Sequence, residues 1–138
     1  MDSAAEMLPD HGRPSSATAG RAVAAWAALI LVLSVIHIPS GLPKEFAFLS
    51  FDTLAHASFY AVLGALLFWA LPQGNRITKL IIAAAAALIF GFIIELIQRL
   101  LPWRSFEWKD ALSDLTGGAA GAVFALLFPR LHLFKLTK

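Results

Sequence analysis

The chain has 138 residues, of which 59% are hydrophobic and 14% are charged, with a formal net charge of +2. Soluble domains carry about 25% charged residues, so this composition indicates a membrane protein. The small net charge, with basic residues scattered among the loops, argues against nucleic-acid binding. There is no cysteine, which excludes disulfides and thiolate metal sites. The chain is too short for a separate soluble domain, so it is predicted to form a single membrane domain.

Four long apolar runs predict an all-α fold, a four-helix transmembrane bundle with short loops, because helices satisfy every backbone group in lipid. Residues 1–20, rich in Ser, Ala, Pro and Gly, are predicted to be a disordered cytoplasmic tail. Asp52 is predicted to be the N-cap of the second helix, and Pro102 and Pro129 end the last two. The predicted helices are 22–38, 53–71, 77–101 and 111–128, within a membrane domain of 21–129 that is followed by a short basic tail, 130–138.

The distribution of basic residues predicts a multi-pass protein of the cell membrane with both termini in the cytoplasm. In that orientation more Lys and Arg residues lie inside than outside, as the positive-inside rule requires. The inner set is Arg13, Arg21, Arg76, Lys79, Arg130, Lys135 and Lys138, and the outer set is Lys44, Arg99, Arg104 and Lys109.

Polar side chains of several segments are expected to meet at one end of this bundle, the predicted outer face. The set comprises Asp52, His56, Glu95, Gln98, Arg104, Asp110 and Asp114, with His37 at the end of the first helix. Residues three and four apart share a face of a helix. Two stripes of small residues lead to the acidic groups, one through Ala84, Ala87, Gly91, Glu95 and Gln98 and one through Asp110, Asp114, Gly117, Gly121 and Ala125. Since small residues let transmembrane helices approach closely, both stripes predict inward-facing carboxylates, with Gly117 and Gly121 against the third helix near Gly91.

At these residues the sequence resembles the VanZ-like family of small integral membrane proteins. The matching pattern is Asp52-x3-His56 with Phe59, Tyr60 and Gly64, then Glu95-x2-Gln98, Arg104, and Asp110-x3-Asp114-x2-Gly117-x3-Gly121. Asp114 departs from the family pattern, which usually has Asn there. The resemblance implies a cell-envelope protein with a link to resistance against the glycopeptide antibiotic teicoplanin.

Each polar residue also has a structural interpretation. Asp52 and Asp110 each precede a predicted helix and could serve only as caps. Glu95 could form a structural hydrogen bond or an ion pair with Arg104 or His56. His56 could act as a general acid or base oriented by Asp52, or merely link two helices. Arg104 could clamp a phosphate or carboxylate, or neutralise Glu95.

A metal bound by His56, Glu95 and Asp110 or Asp114 is conceivable. However, no HExxH-like spacing supports it, so neither a metal nor a cofactor is predicted. Nucleotide-binding motifs are also absent from the sequence.

The leading interpretation is an envelope protein that binds an amphiphilic ligand in a polar pocket at the outer face. That ligand would be a lipid-linked precursor or a lipoglycopeptide such as teicoplanin, and the other expected partner is the lipid bilayer. The expected ligand-binding residues are Asp52, His56, Tyr60, Glu95, Gln98, Arg104, Asp110 and Asp114. The alternatives are a small membrane hydrolase or transferase that uses Glu95 and His56, and a structural membrane partner. A carboxylate within about 3 Å of His56 would favour the enzyme.

Overall fold

The computed structural model describes residues 16–36, 51–103 and 108–128. Four α-helices account for most of this part of the chain: α1 (Ser16–Val35), α2 (Phe51–Ala70), α3 (Arg76–Gln98) and α4 (Trp108–Leu127). The described residues contain no strand. The predicted all-α, four-helix architecture is confirmed.

Helix boundaries differ from the sequence prediction mainly at the N-terminal ends. Helix α1 begins at Ser16, so the last five residues of the predicted tail are helical. Asp52 is the second residue of α2 and Asp110 the third residue of α4, so neither residue is the N-cap that the sequence suggested. A carboxylate within the first turn is still favoured by the helix dipole, which explains why acidic residues occur there without capping.

Helix α3 has clear signals at both ends. The Asn75 side-chain oxygen accepts hydrogen bonds from the backbone amides of Ile77 and Thr78, at 2.8 and 3.3 Å, which satisfies two of the amides that a helix start leaves unpaired. At the other end Leu101 donates to the carbonyl of Gln98 over three residues, the tightened turn common at helix ends. The regular helix therefore stops at Gln98, three residues before the predicted end.

Three helices contain segments long and apolar enough to cross a membrane: Thr18–Val35, Thr53–Ala70 and Arg76–Gln98. Helix α4 is of similar length but carries Lys109, Asp110 and Asp114 in its first two turns. Large apolar side chains cover the outside of the bundle, including Ile81, Ile89, Leu112 and Leu127. Such a surface suits lipid contact, because hydrocarbon rather than water surrounds it.

Helix α4 packs most extensively against α2 and next against α3, whereas α1 contacts only α2 and α3 among the described helices. The interior is built largely from small side chains, including Ala83, Ala87, Ala122 and Ala125, with Phe68, Leu63 and Ile30 filling the wider gaps. This close approach of α2, α3 and α4 brings the polar residues at one end of the bundle together.

Gly117 and Gly121 of α4 face α2 rather than α3, contrary to the prediction. A Cβ atom at Gly117 would overlap the carbonyl group of Ala57, and one at Gly121 would overlap that of Ala61. The residue that does approach α3 is Gly118, where a Cβ atom would lie 2.7 Å from the Cβ atom of Ala87. The small-residue stripe was therefore an interface, as expected, but with a different partner helix.

Candidate functional site

His56 lies near the start of α2, where it faces two carboxylates of α4. Its Nδ1 atom is 2.9 Å from Oδ1 of Asp114, and its Nε2 atom is 3.9 Å from Oδ2 of Asp110. Asp110 and Asp114 are four residues apart, so they lie one above the other on one face of the helix. The imidazole therefore spans both acidic groups.

Asp114 is completely buried, and α3 provides the space for it. A Cβ atom at Gly91 would lie 2.9 Å from Oδ2 and 3.0 Å from Cβ of Asp114. Glycine at position 91 is thus required by the close approach of this carboxylate. Oδ2 of Asp114 makes no hydrogen bond within the described part of the chain, which is costly for a buried polar atom.

Glu95 follows Gly91 by one helical turn and is only 1% exposed. One carboxylate oxygen of Glu95, one nitrogen of His56 and one oxygen of Asp110 all lie within 4.8 Å of one another. Three helices thus contribute one polar group each. We refer to His56, Glu95, Asp110 and Asp114 as the His-carboxylate cluster.

Tyr60 lies one turn after His56 and completes the interior side of the cluster. The two rings are nearly parallel, at 3°, with centroids 6.5 Å apart. The Tyr60 hydroxyl is buried and has no hydrogen-bond partner of good geometry among the described residues. It is close enough to Asp114 and Glu95 for direct electrostatic interaction with both carboxylates.

Gln98 is buried, as predicted, but its amide nitrogen serves the packing of α1. Nε2 donates to the backbone carbonyl of Ser34 at 3.2 Å. Sequence reasoning missed this link, and no residue type in α1 could have revealed it, because the acceptor is a backbone atom. A second link that was missed is the indole nitrogen of Trp26, which donates to the carbonyl of Phe59 at 2.9 Å.

The remaining predicted site residues fall outside what the structure describes. Asp52 is placed as part of α2, but its side chain is not among the described ones, and Arg104 and His37 lie between the described ranges. Two interpretations therefore remain predictions: that Asp52 orients His56, and that Glu95 pairs with Arg104. Of the other predicted residues, His56, Tyr60, Glu95, Asp110 and Asp114 come together.

This arrangement has a definite chemical capacity. A carboxylate that accepts a hydrogen bond from Nδ1–H fixes the tautomer of a histidine and leaves the lone pair on Nε2. That atom can then exchange a proton with a bound molecule or coordinate a cation. The surrounding carboxylates can accept hydrogen bonds from hydroxyl, amine or amide groups.

Comparison with protein families gives a match over most of the chain. The sequence model of a family described as VanZ/LLP1 matches residues 23–129, a range that holds all four helices except the first seven residues of α1. Neither a curated protein nor a solved structure matches the chain.

Proposed function

The chain belongs to the VanZ/LLP1 family, and from that premise we propose that it binds the polar head of an amphiphilic envelope molecule at the His-carboxylate cluster. The ligand would be a lipid-linked precursor or a lipoglycopeptide such as teicoplanin. The observation that supports this most directly is the meeting of three helices' polar groups at one end of a bundle with an apolar exterior. In the orientation we propose, both termini are cytoplasmic and that end faces outward.

An amphiphile suits this surface because polar and apolar contacts occur at the same depth. Leu54, Leu96 and Leu112 are exposed on α2, α3 and α4, each next to or within two residues of a cluster residue. An acyl chain can lie against these helices while the head group reaches the cluster. Carboxylates favour head groups with hydroxyl, amine and amide donors, which saccharides and glycopeptides carry.

A binding measurement in lipid nanodiscs tests this proposal. The ligands are teicoplanin and the same glycopeptide without its acyl chain, titrated against wild-type protein and Glu95→Gln. We expect measurable binding of the acylated form only, and at least a tenfold loss in Glu95→Gln. Asp10→Asn, which changes a carboxylate far from the cluster in sequence, is the matched control. Equal binding by Glu95→Gln and wild type would exclude the cluster as the head-group site.

A second candidate function, a membrane hydrolase or transferase, is favoured by one distance. Asp114 is 2.9 Å from Nδ1 of His56, the geometry in which a carboxylate orients a histidine for general acid–base catalysis. In this case His56 transfers protons through Nε2, with Glu95 as the second acid–base group. Lipid extracts of cells expressing wild type, Glu95→Gln and His56→Gln at equal levels separate the functions. A lipid product that disappears only with the variants indicates an enzyme, and unchanged lipids indicate binding.

A further inference from the structure

The His-carboxylate cluster brings together a metal donor set that the sequence made conceivable but did not predict. The ligand atoms of His56, Glu95 and Asp110, each on a different helix, lie within 4.8 Å of one another. A mixed set of imidazole nitrogen and carboxylate oxygen is typical of sites for divalent transition metals. Motifs such as HExxH place two ligands on one helix, so a set with one ligand per helix has no recognisable spacing.

The surroundings of His56 have the form that metal-bound histidines usually show. A histidine ligand almost always donates its second ring N–H to a carboxylate or carbonyl, which fixes the ring and makes the coordinating nitrogen more basic. Here Nδ1 is 2.9 Å from the completely buried carboxylate of Asp114. Nε2, the other nitrogen, is the one that faces Asp110. The coordinating atom therefore faces Asp110, one of the two carboxylate ligands.

An independent observation comes from Tyr60. Its hydroxyl is buried and makes no hydrogen bond of good geometry among the described residues, although it lies beside the carboxylate of Asp114 and also interacts with Glu95. Burying a hydroxyl without a good hydrogen bond is unfavourable. A water or head-group oxygen held at the cluster would satisfy it.

We propose that His56, Glu95 and Asp110 bind a divalent transition-metal cation of the Zn²⁺ or Mn²⁺ class, with Asp114 positioning His56. Bonds of about 2.0–2.2 Å put tetrahedral ligand atoms about 3.3–3.6 Å apart, so binding draws the three side chains together from their present separation. Three protein ligands leave at least one coordination position for water or an oxygen of a bound molecule. This site goes beyond the proposed function, since it exists whether or not the chain binds a glycopeptide or a lipid precursor.

The metal and the acid–base function exclude each other at one atom. A cation on Nε2 occupies the lone pair that proton transfer by His56 requires. Metal binding would therefore assign His56 a coordinating role, and any proton transfer at this site would pass through the metal-bound water instead.

The test uses full-length protein carrying a non-histidine affinity tag, stripped with a chelator and reconstituted in nanodiscs. Its other histidines, His11, His37 and His132, are replaced by Gln, so that His56 is the only imidazole in the chain. Zn²⁺ is titrated in competition with a chromophoric chelator. We expect one Zn²⁺ per chain, with at least tenfold weaker binding by Glu95→Gln and by Asp110→Asn. Loss of a residue that positions a ligand typically lowers metal affinity about 10–100-fold, which is the range expected for Asp114→Ala.

A spectroscopic measurement keeps the proposal testable even if a variant does not fold. The pulsed electron paramagnetic resonance spectrum of the Mn²⁺-loaded protein should show coupling to an imidazole nitrogen, which here can come only from His56. No retained Zn²⁺, equal Zn²⁺ affinity in Glu95→Gln and Asp110→Asn, or no nitrogen coupling would each overturn the site. Teicoplanin binding by the chelator-stripped protein is measured separately, so failure of the metal site and failure of the proposed ligand are distinguishable.

Discussion

Gly64 of α2 and Gly118 of α4 are in direct backbone contact. A Cβ atom at Gly64 would overlap the carbonyl oxygen of Gly118. Together with Gly117 against Ala57 and Gly121 against Ala61, this contact holds the two helices closer than ordinary side chains allow. We call this glycine-lined contact between α2 and α4 the seam. The position of the His-carboxylate cluster depends on it, because His56 belongs to α2 and both Asp110 and Asp114 belong to α4.

Gly121→Ala should therefore destabilise the protein. Its Cβ atom would overlap the backbone of Ala61, and overpacking a tight interface typically costs about 1–3 kcal/mol or more. Gly20→Ala is the matched control, since nothing lies within 4 Å of a Cβ atom at that position of α1. In a helix that change should stabilise by about 0.5–1 kcal/mol. Thermal unfolding in detergent measures both, and equal midpoints for the two variants would show that the seam tolerates a methyl group.

His56 and Asp114 should be energetically coupled. His56→Leu leaves the buried Asp114 carboxylate without its imidazole partner, and breaking one side of a buried pair costs about 3–5 kcal/mol. Adding Asp114→Ala should restore part of that loss, because the unpaired carboxylate is then gone. A double-mutant cycle on the free energy of unfolding measures the coupling. Additive losses would mean that the 2.9 Å contact contributes nothing of its own.

Gly91→Ala should impair the site more than the fold. The added Cβ atom would meet the side chain of Asp114 at 2.9–3.0 Å and the ring of Tyr60 at 3.2 Å, so the carboxylate must shift away from α3. We expect weaker binding of Zn²⁺ and of teicoplanin, by about tenfold or more, on the scale seen when groups that orient a ligand are displaced. Ala85→Gly, at an exposed position on the same helix, is the control. Unchanged affinities in Gly91→Ala would show that Asp114 does not need its present position.

The attachment of α1 should depend on two hydrogen bonds. Trp26→Phe removes the donor to Phe59 but retains an aromatic ring, and Gln98→Met removes the donor to Ser34. Each change should cost about 0.5–1.5 kcal/mol, the usual net value of such a bond. The control is Ser58→Ala, which loses only a bond to Leu54 within its own helix at an exposed position. Unfolding free energies for Trp26→Phe or Gln98→Met that match Ser58→Ala would contradict this role.

The orientation in the membrane can be decided with introduced cysteines, since the chain has none of its own. Gly74 is exposed in the turn between α2 and α3, and Trp108 is exposed at the start of α4. With both termini cytoplasmic, Trp108→Cys in intact cells should react with a membrane-impermeant thiol reagent and Gly74→Cys should not. The opposite pattern would reverse the orientation.

Much of the fold could be predicted from the sequence, because helical phase is a local property. Residues spaced three and four apart in α3 and α4 correctly indicated that Glu95, Gln98 and Asp114 face the interior. The partner of each face could not be predicted. A stripe of small residues permits close approach by any helix, and Gly117 and Gly121 therefore contact α2 although α3 was expected.

The same limit applies within the site. From the sequence, His56, Glu95 and Asp110 could be predicted to lie at one end of the bundle. It could not be predicted that Asp114, 58 residues from His56, is the carboxylate that contacts Nδ1 of His56. The predicted N-cap role of Asp52 was wrong, and the cap interpretation left open for Asp110 does not hold, for a different reason. An acidic residue is favourable both before a helix and in its first turn, so its identity alone does not fix where the helix begins.

The polar start of α4 also bears on how the chain enters a bilayer. On insertion scales, an acidic or basic residue at the centre of a membrane helix raises the free energy of insertion by about 2.5–3.5 kcal/mol, and by less near the interface. Lys109, Asp110 and Asp114 thus work against the entry of α4 by itself, whereas α1, α2 and α3 meet the hydropathy requirement alone. The carboxylate of Asp114 in α4 is stabilised by His56 of α2 and fits into the space left at Gly91 of α3. Helix α4 is accordingly expected to insert into the membrane after α2 and α3. Its insertion would depend on packing against those helices rather than on its own hydrophobicity.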